Sequence, residues 1–191
     1  MSIDRRKQIV DAAGKSFALF GYKATTMEQV AKIAGVGKGT IYTFFSHKEE
    51  LFDEIMRSVI QEMRLVAEKM IDPAKPLFEN LHPLSIKLLE MRRSQELMIK
   101  LSHEIKEMGT PKAQEAMQQI EQAIIAFIAN IITEAVRKGE IRACDPEITA
   151  FFIIKMYIAF VYDWEITHPP LSNERIAELM NMYLSEGLAV K

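Results

Sequence analysis

Between positions 38 and 48 the chain gathers side chains that donate hydrogen bonds and carry positive charge: Lys38, Thr40, Tyr42, Thr43 and Lys48. Glycines at 37 and 39 sit among them and let a backbone approach a surface closely. Donors, cations and small residues in one short stretch suit a polyanion better than a substrate. Other chemistries lack their parts. The four histidines (His47, His82, His103, His168) are scattered, without the i, i+4 pairs or Cys/His clusters that hold metals. No phosphate-binding glycine loop, nucleophile elbow or placeable pair of carboxylates is present. The residues therefore give no catalytic group, cofactor site or metal site, and no reason to expect an enzyme.

The elements that position these donors are legible over residues 25–52. Thr26 and Gln29 have the form of a capping box, which starts a helix at Met27. Val30, Ile33 and Ala34 give it an apolar face, and Gly35 ends it. Val36 can plug the angle before the next helix, about Lys38 to Phe44, whose apolar face is Ile41 with Phe44 and Phe45. A second capping box, Ser46 with Glu49, opens a third helix. Two short helices joined by a tight turn form a helix-turn-helix, whose second helix can enter a DNA major groove. Lys48 lies in a helical first turn, against the dipole preference, which makes sense if it meets a phosphate.

Charge follows the same division. The chain carries 24 Lys/Arg and 26 Asp/Glu, a net of −2. Residues 1–48 hold 8 Lys/Arg against 3 Asp/Glu, leaving 16 against 23 for residues 49–191. A basic end on an acidic body is the footprint of a DNA-binding head.

This stretch resembles the DNA-binding half of the tetracycline-repressor (TetR) family. The matching pieces are Thr25-Thr26, Val30-Ala31, Ala34-Gly35-Val36, Gly39-Thr40-Ile41-Tyr42, and Phe45 with Lys48-Glu49-Glu50-Leu51-Phe52. Ile9 to Ala13 and Phe17 to Tyr22 match the family's first helix. The likeness covers roughly residues 4–52, about a quarter of the chain. It implies DNA contacts from Thr25, Thr26, Gly37, Lys38, Gly39, Thr40, Tyr42, Thr43, His47 and Lys48. Of these, Thr26, Tyr42 and Lys48 would hold phosphates, and Lys38, Gly39, Thr40 and Thr43 would lie nearest base edges. Phe44 stands where members often carry His or Tyr, so no contact is transferred to it.

The expected fold is all-α, with about nine helices: a three-helix head over residues 1–48 (motif about 26–45) and a larger body over 49–191. Helix 1 runs from about Asp4 to Phe20, burying Ile9, Ala13, Phe17 and Phe20, and ends at Gly21. Arg5, Arg6 and Lys7 at its start either reach DNA or are solvated. Helix 4 runs from about His47 to Met70 and can couple head to body. Asp72-Pro73 and Pro76 then break the chain. Helices 5 and 6 occupy about 77–93 and 95–108, with Pro83 kinking or interrupting the first. Thr110 and Pro111 open helix 7, which ends at Gly139. Asp145-Pro146 opens helix 8, expected to reach Thr167, and Ser172 caps helix 9, which runs to Leu188.

Helix 8 is apolar nearly all round, including Phe151, Phe152, Ile154, Tyr157, Ile158, Phe160 and Val161. In the family the last two helices pair across a two-fold axis, so the resemblance implies a homodimer through residues of about 146–188. A monomeric core helix is the plain alternative. The family's body is usually a small-molecule pocket. Its implied lining here is Met91, Met98, Phe127, Met156, Tyr157, Phe160 and Trp164, with Arg92, His103, Asn130 and Asp163 as polar groups. Each polar residue has a plainer reading as a surface ion pair or hydrogen bond, and the methionines as core.

Cys144 is the only cysteine, no signal peptide begins the chain, and Phe151–Trp164 is too short and too charged to span a membrane. A cytoplasmic location without a membrane partner is expected. The function implied is a sequence-specific DNA-binding regulator. It would be a repressor leaving a pseudo-palindromic operator when a small apolar or amphipathic effector binds. The alternative is a DNA-binding protein controlled by a protein partner, or an activator or structural factor without an effector.

Overall fold

The computed structural model describes residues 4–72, 74–75 and 77–188, with the backbone alone at 78, 81–82, 85, 88–89, 92–95 and 186–188. Pro73 and Pro76 lie outside the described residues. Nine α-helices form, and no strand occurs among the described residues: α1 (Arg5–Ala24), α2 (Met27–Ala34), α3 (Lys38–Phe44), α4 (Lys48–Met70), α5 (Leu77–Leu89), α6 (Arg92–Met108), α7 (Pro111–Lys138), α8 (Pro146–Ile158) and α9 (Asn173–Leu188).

Local signals account for most boundaries. Asp4 accepts the Lys7 N–H and starts α1. Asp145 accepts the Ile148 N–H ahead of Pro146, and Ser172 accepts the Arg175 N–H at the start of α9. Gly21 departs from helical geometry at φ 82°, ψ 178°, so the regular part of α1 ends there and one further turn follows. Two expectations fail on side-chain chemistry. Thr110 starts α7 through its carbonyl only, and its hydroxyl is buried with no partner. At α4 the expected Ser46–Glu49 box is displaced by one residue. His47 Nδ1 accepts the Glu50 N–H, and the Glu50 carboxylate accepts the Ser46 N–H. Glu49 is engaged elsewhere, by Tyr22. Pro83 lies inside α5, which continues through it rather than being interrupted.

Helix 8 also departs from the single expected helix. Its α geometry stops at Ile158, widens into a π turn over Ala159–Asp163, and tightens into a 3-10 turn over Trp164–Ile166. The Trp164 N–H reaches back five residues to the Ala159 carbonyl, which defines the widened turn.

The chain divides into two compact units, neither continuous in sequence. The first comprises residues up to Gln61 together with Met91–Ile120; the second comprises Glu62–Glu90 and residues from Glu121 onward. In the first, α1 packs on α2 and α6. Its centre is Ile9, Ala13, Phe17, Val30, Ile41, Phe45, Leu51 and Phe52, all at most 2% exposed. Phe17 meets Phe52 edge-on at 4.9 Å between centroids, and Tyr22 lies 4.8 Å from Phe52. Such pairs add ~0.5–1.5 kcal/mol each beyond area burial. They lock α1 to the first turns of α4. Phe20, expected inside, is 44% exposed, as are Ile33 at 45% and Phe44 at 39%. Ala12 and Ala31 are buried, at 4% and 3% exposure.

The second unit buries Leu77, Ile132, Ala135, Ile141, Ile153, Val161, Ile176, Met180 and Leu184 in one cluster. The Glu140 carboxylate caps α5 by accepting the Leu77 N–H at 2.9 Å. Asn80 ties the preceding turn through the Asp72 N–H and the carbonyls of Asp72 and Lys75. Outside this cluster the α8 side chains Ile148, Phe151 and Phe152 are 68%, 48% and 61% exposed, and on α9 Tyr183 is 55% exposed. One described helix, α7, is long and apolar enough to cross a membrane by length and composition, yet its Ile120, Ile132 and Ala135 are buried in protein.

Candidate nucleic-acid interface

The Thr26 hydroxyl accepts the Gln29 N–H at 3.2 Å, and the Gln29 side chain accepts the Thr26 N–H at 2.9 Å. This is the expected capping box, and it fixes where α2 begins. Gly35 takes φ 65°, ψ 29°; its N–H bonds to Lys32 O and that of Val36 to Ala31 O. Those two bonds turn the chain sharply into α3. Ile41 and Phe45 are buried beneath α3. Its outer side therefore presents Lys38, Gly39, Tyr42 and Thr43, with Thr40 half-buried and Gly37 exposed before them.

The donors differ in how free they are. Tyr42 is 44% exposed. Thr43 Oγ1 donates back to the Thr40 carbonyl at 2.7 Å, and the residue is exposed. The Lys38 ammonium donates to the Glu28 carboxylate of α2, and both side chains are about two-thirds exposed (64% and 66%). That hydrogen bond holds Glu28 below the usual carboxylate range and Lys38 above the usual amine value.

Lys48 is anchored. Its ammonium lies 4.3 Å from the Tyr22 ring centroid and donates to the Tyr22 carbonyl at 2.9 Å. The Tyr22 hydroxyl donates to Glu49 at 2.6 Å. Burial, then that bond, pushes the phenol well above its ordinary value, and the bond holds Glu49 low. His47 is exposed beside them. Arg6 is drawn back to Glu54 at 2.7 Å and over the Phe45 ring.

Thr25 departs from the expected set. It is 1% exposed; its hydroxyl donates to the Gly21 carbonyl at 2.7 Å and lies 3.2 Å from Ser16 Oγ. Its side chain ties the α1–α2 corner and has no free face. Sequence periodicity gave no sign of Glu28, because its partner is ten residues away and on another helix.

The expected effector residues are distributed over both units. Met156, Tyr157 and Phe160 are half-buried and pack against the second unit's apolar cluster. Phe127 is also half-buried, whereas Asn130 and Asp163 are exposed. Trp164 stacks on His168 at 4.0 Å, and its indole N–H donates to the Pro169 carbonyl, so it clasps its own loop. In the first unit Met98 is buried, Met91 half-buried and His103 exposed. The Arg92 side chain lies outside the described residues. Among the described residues no three His, Cys, Asp or Glu side chains gather as a metal-binding group.

A capped helix, a glycine turn and a second helix with an outward row of donors define a helix-turn-helix DNA-binding protein. Residues 9–55 match the family described as bacterial regulatory proteins, tetR family, and residues 80–188 match the tetracyclin repressor-like C-terminal domain. The chain belongs to the TetR family and is a DNA-binding transcriptional regulator. It is 50% identical to the HTH-type transcriptional regulator YhgD of Bacillus subtilis, over 99% of each chain. It is 31% identical to the fatty acid metabolism regulator protein of the same organism, over 71% of this chain and 70% of that one. Its fold matches SmeT, the repressor of a Stenotrophomonas maltophilia multidrug efflux pump, with a TM-score of 0.76 at 19% identity, covering 97% of this chain and 91% of that one.

Proposed function

We propose that the chain is a dimeric, cytoplasmic repressor that holds a pseudo-palindromic operator and leaves it when a small apolar or amphipathic effector binds the body. Residues 1–48 read DNA and residues 49–191 regulate. Thr26, Tyr42 and Lys48 hold phosphates, with His47 beside them. Lys38, Gly39, Thr40 and Thr43 approach base edges from the exposed side of α3.

The observation that carries this reading is the pairing of two unlike surfaces on one chain. One is the donor row of the helix-turn-helix. The other is the exposed apolar side of α8 and α9, with Ile148, Phe151, Phe152 and Tyr183. A second copy covers that apolar side in a four-helix bundle, and two heads then meet successive major grooves ~34–36 Å apart. The likeness to a fatty acid metabolism regulator, and to SmeT, which has been seen in a complex with triclosan, supports an apolar effector. Met156, Tyr157 and Phe160, half-buried against the second unit's apolar cluster, would suit such a molecule. Effector binding shifts α4 and takes the heads out of register.

The test is selection of bound duplexes from a random pool at moderate salt, followed by sequencing. Enrichment of an inverted repeat is expected, and release by a long-chain fatty acid identifies the effector class. Retention without an enriched sequence sinks the reading.

A further inference from the structure

We propose that Glu28 and Lys38 together read one C·G base pair, the carboxylate accepting from the cytosine N4 amino group and the ammonium donating to guanine O6 and N7. This rests on the DNA-binding reading above and deepens it to a specificity-determining pair.

Glu28 is the only acidic residue between positions 25 and 48. It lies in the first turn of α2, where the helix dipole favours an anion, and that alone would account for a solvated carboxylate. Its position is less simple. The carboxylate is engaged by Lys38, the first residue of α3. The two charged groups therefore meet between the N-terminal turns of α2 and α3, beside the row of donors. A duplex carries one negative charge per about 1.7 Å of axis, so a carboxylate here is repelled unless it finds a donor. In the major groove a carboxylate accepts from cytosine N4, while lysine donates to guanine O6 and N7. A C·G pair presents that donor and those acceptors side by side. An ion pair formed in advance presents the complementary order, acceptor beside donor. It also restrains two long side chains before DNA arrives, which reduces the ordering cost of binding.

The plain alternative is an exposed ion pair whose acid only mutes a lysine aimed at phosphate. The two readings differ in what the operator shows. The experiment is the random-duplex selection, run on the full-length wild type, Glu28→Gln and Lys38→Ala, followed by titration of each against every single-base variant of the wild-type site. Both side chains are exposed, so the helical circular-dichroism signal is expected to be unchanged in the variants.

The wild type is expected to fix a C·G pair at one position per half-site, each replacement there weakening binding by about tenfold or more. Glu28→Gln should move the preference at that position alone toward A·T, because glutamine pairs with adenine N6 and N7. Lys38→Ala should relax the same position. If Glu28→Gln tightens all duplexes equally, the acid is only a repulsive charge and the proposal is overturned. It is overturned as well if the two variants alter different positions. A wild type that enriches no sequence would overturn the regulator reading itself, an outcome distinct from these.

Discussion

Glu104, on α6 and only 5% exposed, places its carboxylate in the space that Gly21 of α1 leaves by having no side chain. From there it accepts the Lys23 main-chain N–H at 3.1 and 3.2 Å. Gly21 serves two purposes: its backbone conformation is nearly closed to other residues, and a Cβ would overlap the carboxylate. Gly21→Ala should therefore destabilise the protein by ~1–3 kcal/mol or more. Glu104→Ala should cost ~1–3 kcal/mol by orphaning the Lys23 N–H. In urea denaturation the double variant is expected to lose less than the sum, because the overlap then disappears. Strict additivity would show that the two residues do not meet.

Thr26 offers a cleaner local test. Its hydroxyl and Gln29 cap each other's backbone at the start of α2. Thr26→Ala should lower stability by ~1 kcal/mol, and Thr26→Ser should restore most of it. Equal losses in both variants would assign the effect to packing of the threonine methyl.

Acid stability should depend on Tyr22 and Glu49. The Tyr22 hydroxyl holds the Glu49 carboxyl below its usual range. A depressed folded-state value contributes stability that is present above the unfolded carboxylate value, near 4.3, and lost as pH falls through the folded value. The stability gap between wild type and Tyr22→Phe should accordingly shrink as pH is lowered from 6 through that range. A gap unchanged with pH would mean that the hydrogen bond is not what Tyr22 contributes.

Lys48 is already placed by the Tyr22 ring and carbonyl. Lys48→Ala should weaken all duplexes by a similar factor and reduce the salt dependence of binding by about one counterion. Unequal losses across sequences, measured by anisotropy titration, would contradict its assignment to phosphate.

The apolar side of α8 predicts the assembly. Phe152 is 61% exposed. Phe152→Asp should shift the protein to monomer in sedimentation velocity and weaken operator binding while leaving the helical signal intact. An unchanged dimer would place the interface elsewhere.

Local chemistry was readable directly. The capping box at Thr26, the glycine turn at Gly35, the Asp145-Pro146 start and the donors of α3 all depend on residues within a few positions of one another. Backbone capping energies act over that range, so they appear in the sequence as spacing. Periodicity also placed Ile9, Phe17, Val30 and Ile41 inside. It misplaced Phe20, Ile33 and Phe44, because a stripe of hydrophobic residues is wider than the strip that a neighbouring helix covers. The decisive contacts lie beyond any local window. Glu28 meets Lys38 across two helices, Glu49 turns to Tyr22 rather than to Ser46, and Glu104 reaches Lys23 over 81 residues. Charge alone does not choose between such partners. Only the packing that brings one helix against another brings a carboxylate within hydrogen-bond distance of one donor and not the next. The sequence by itself determined the class of protein and where its reading helix starts; the tertiary structure decided which side chains remain free to read.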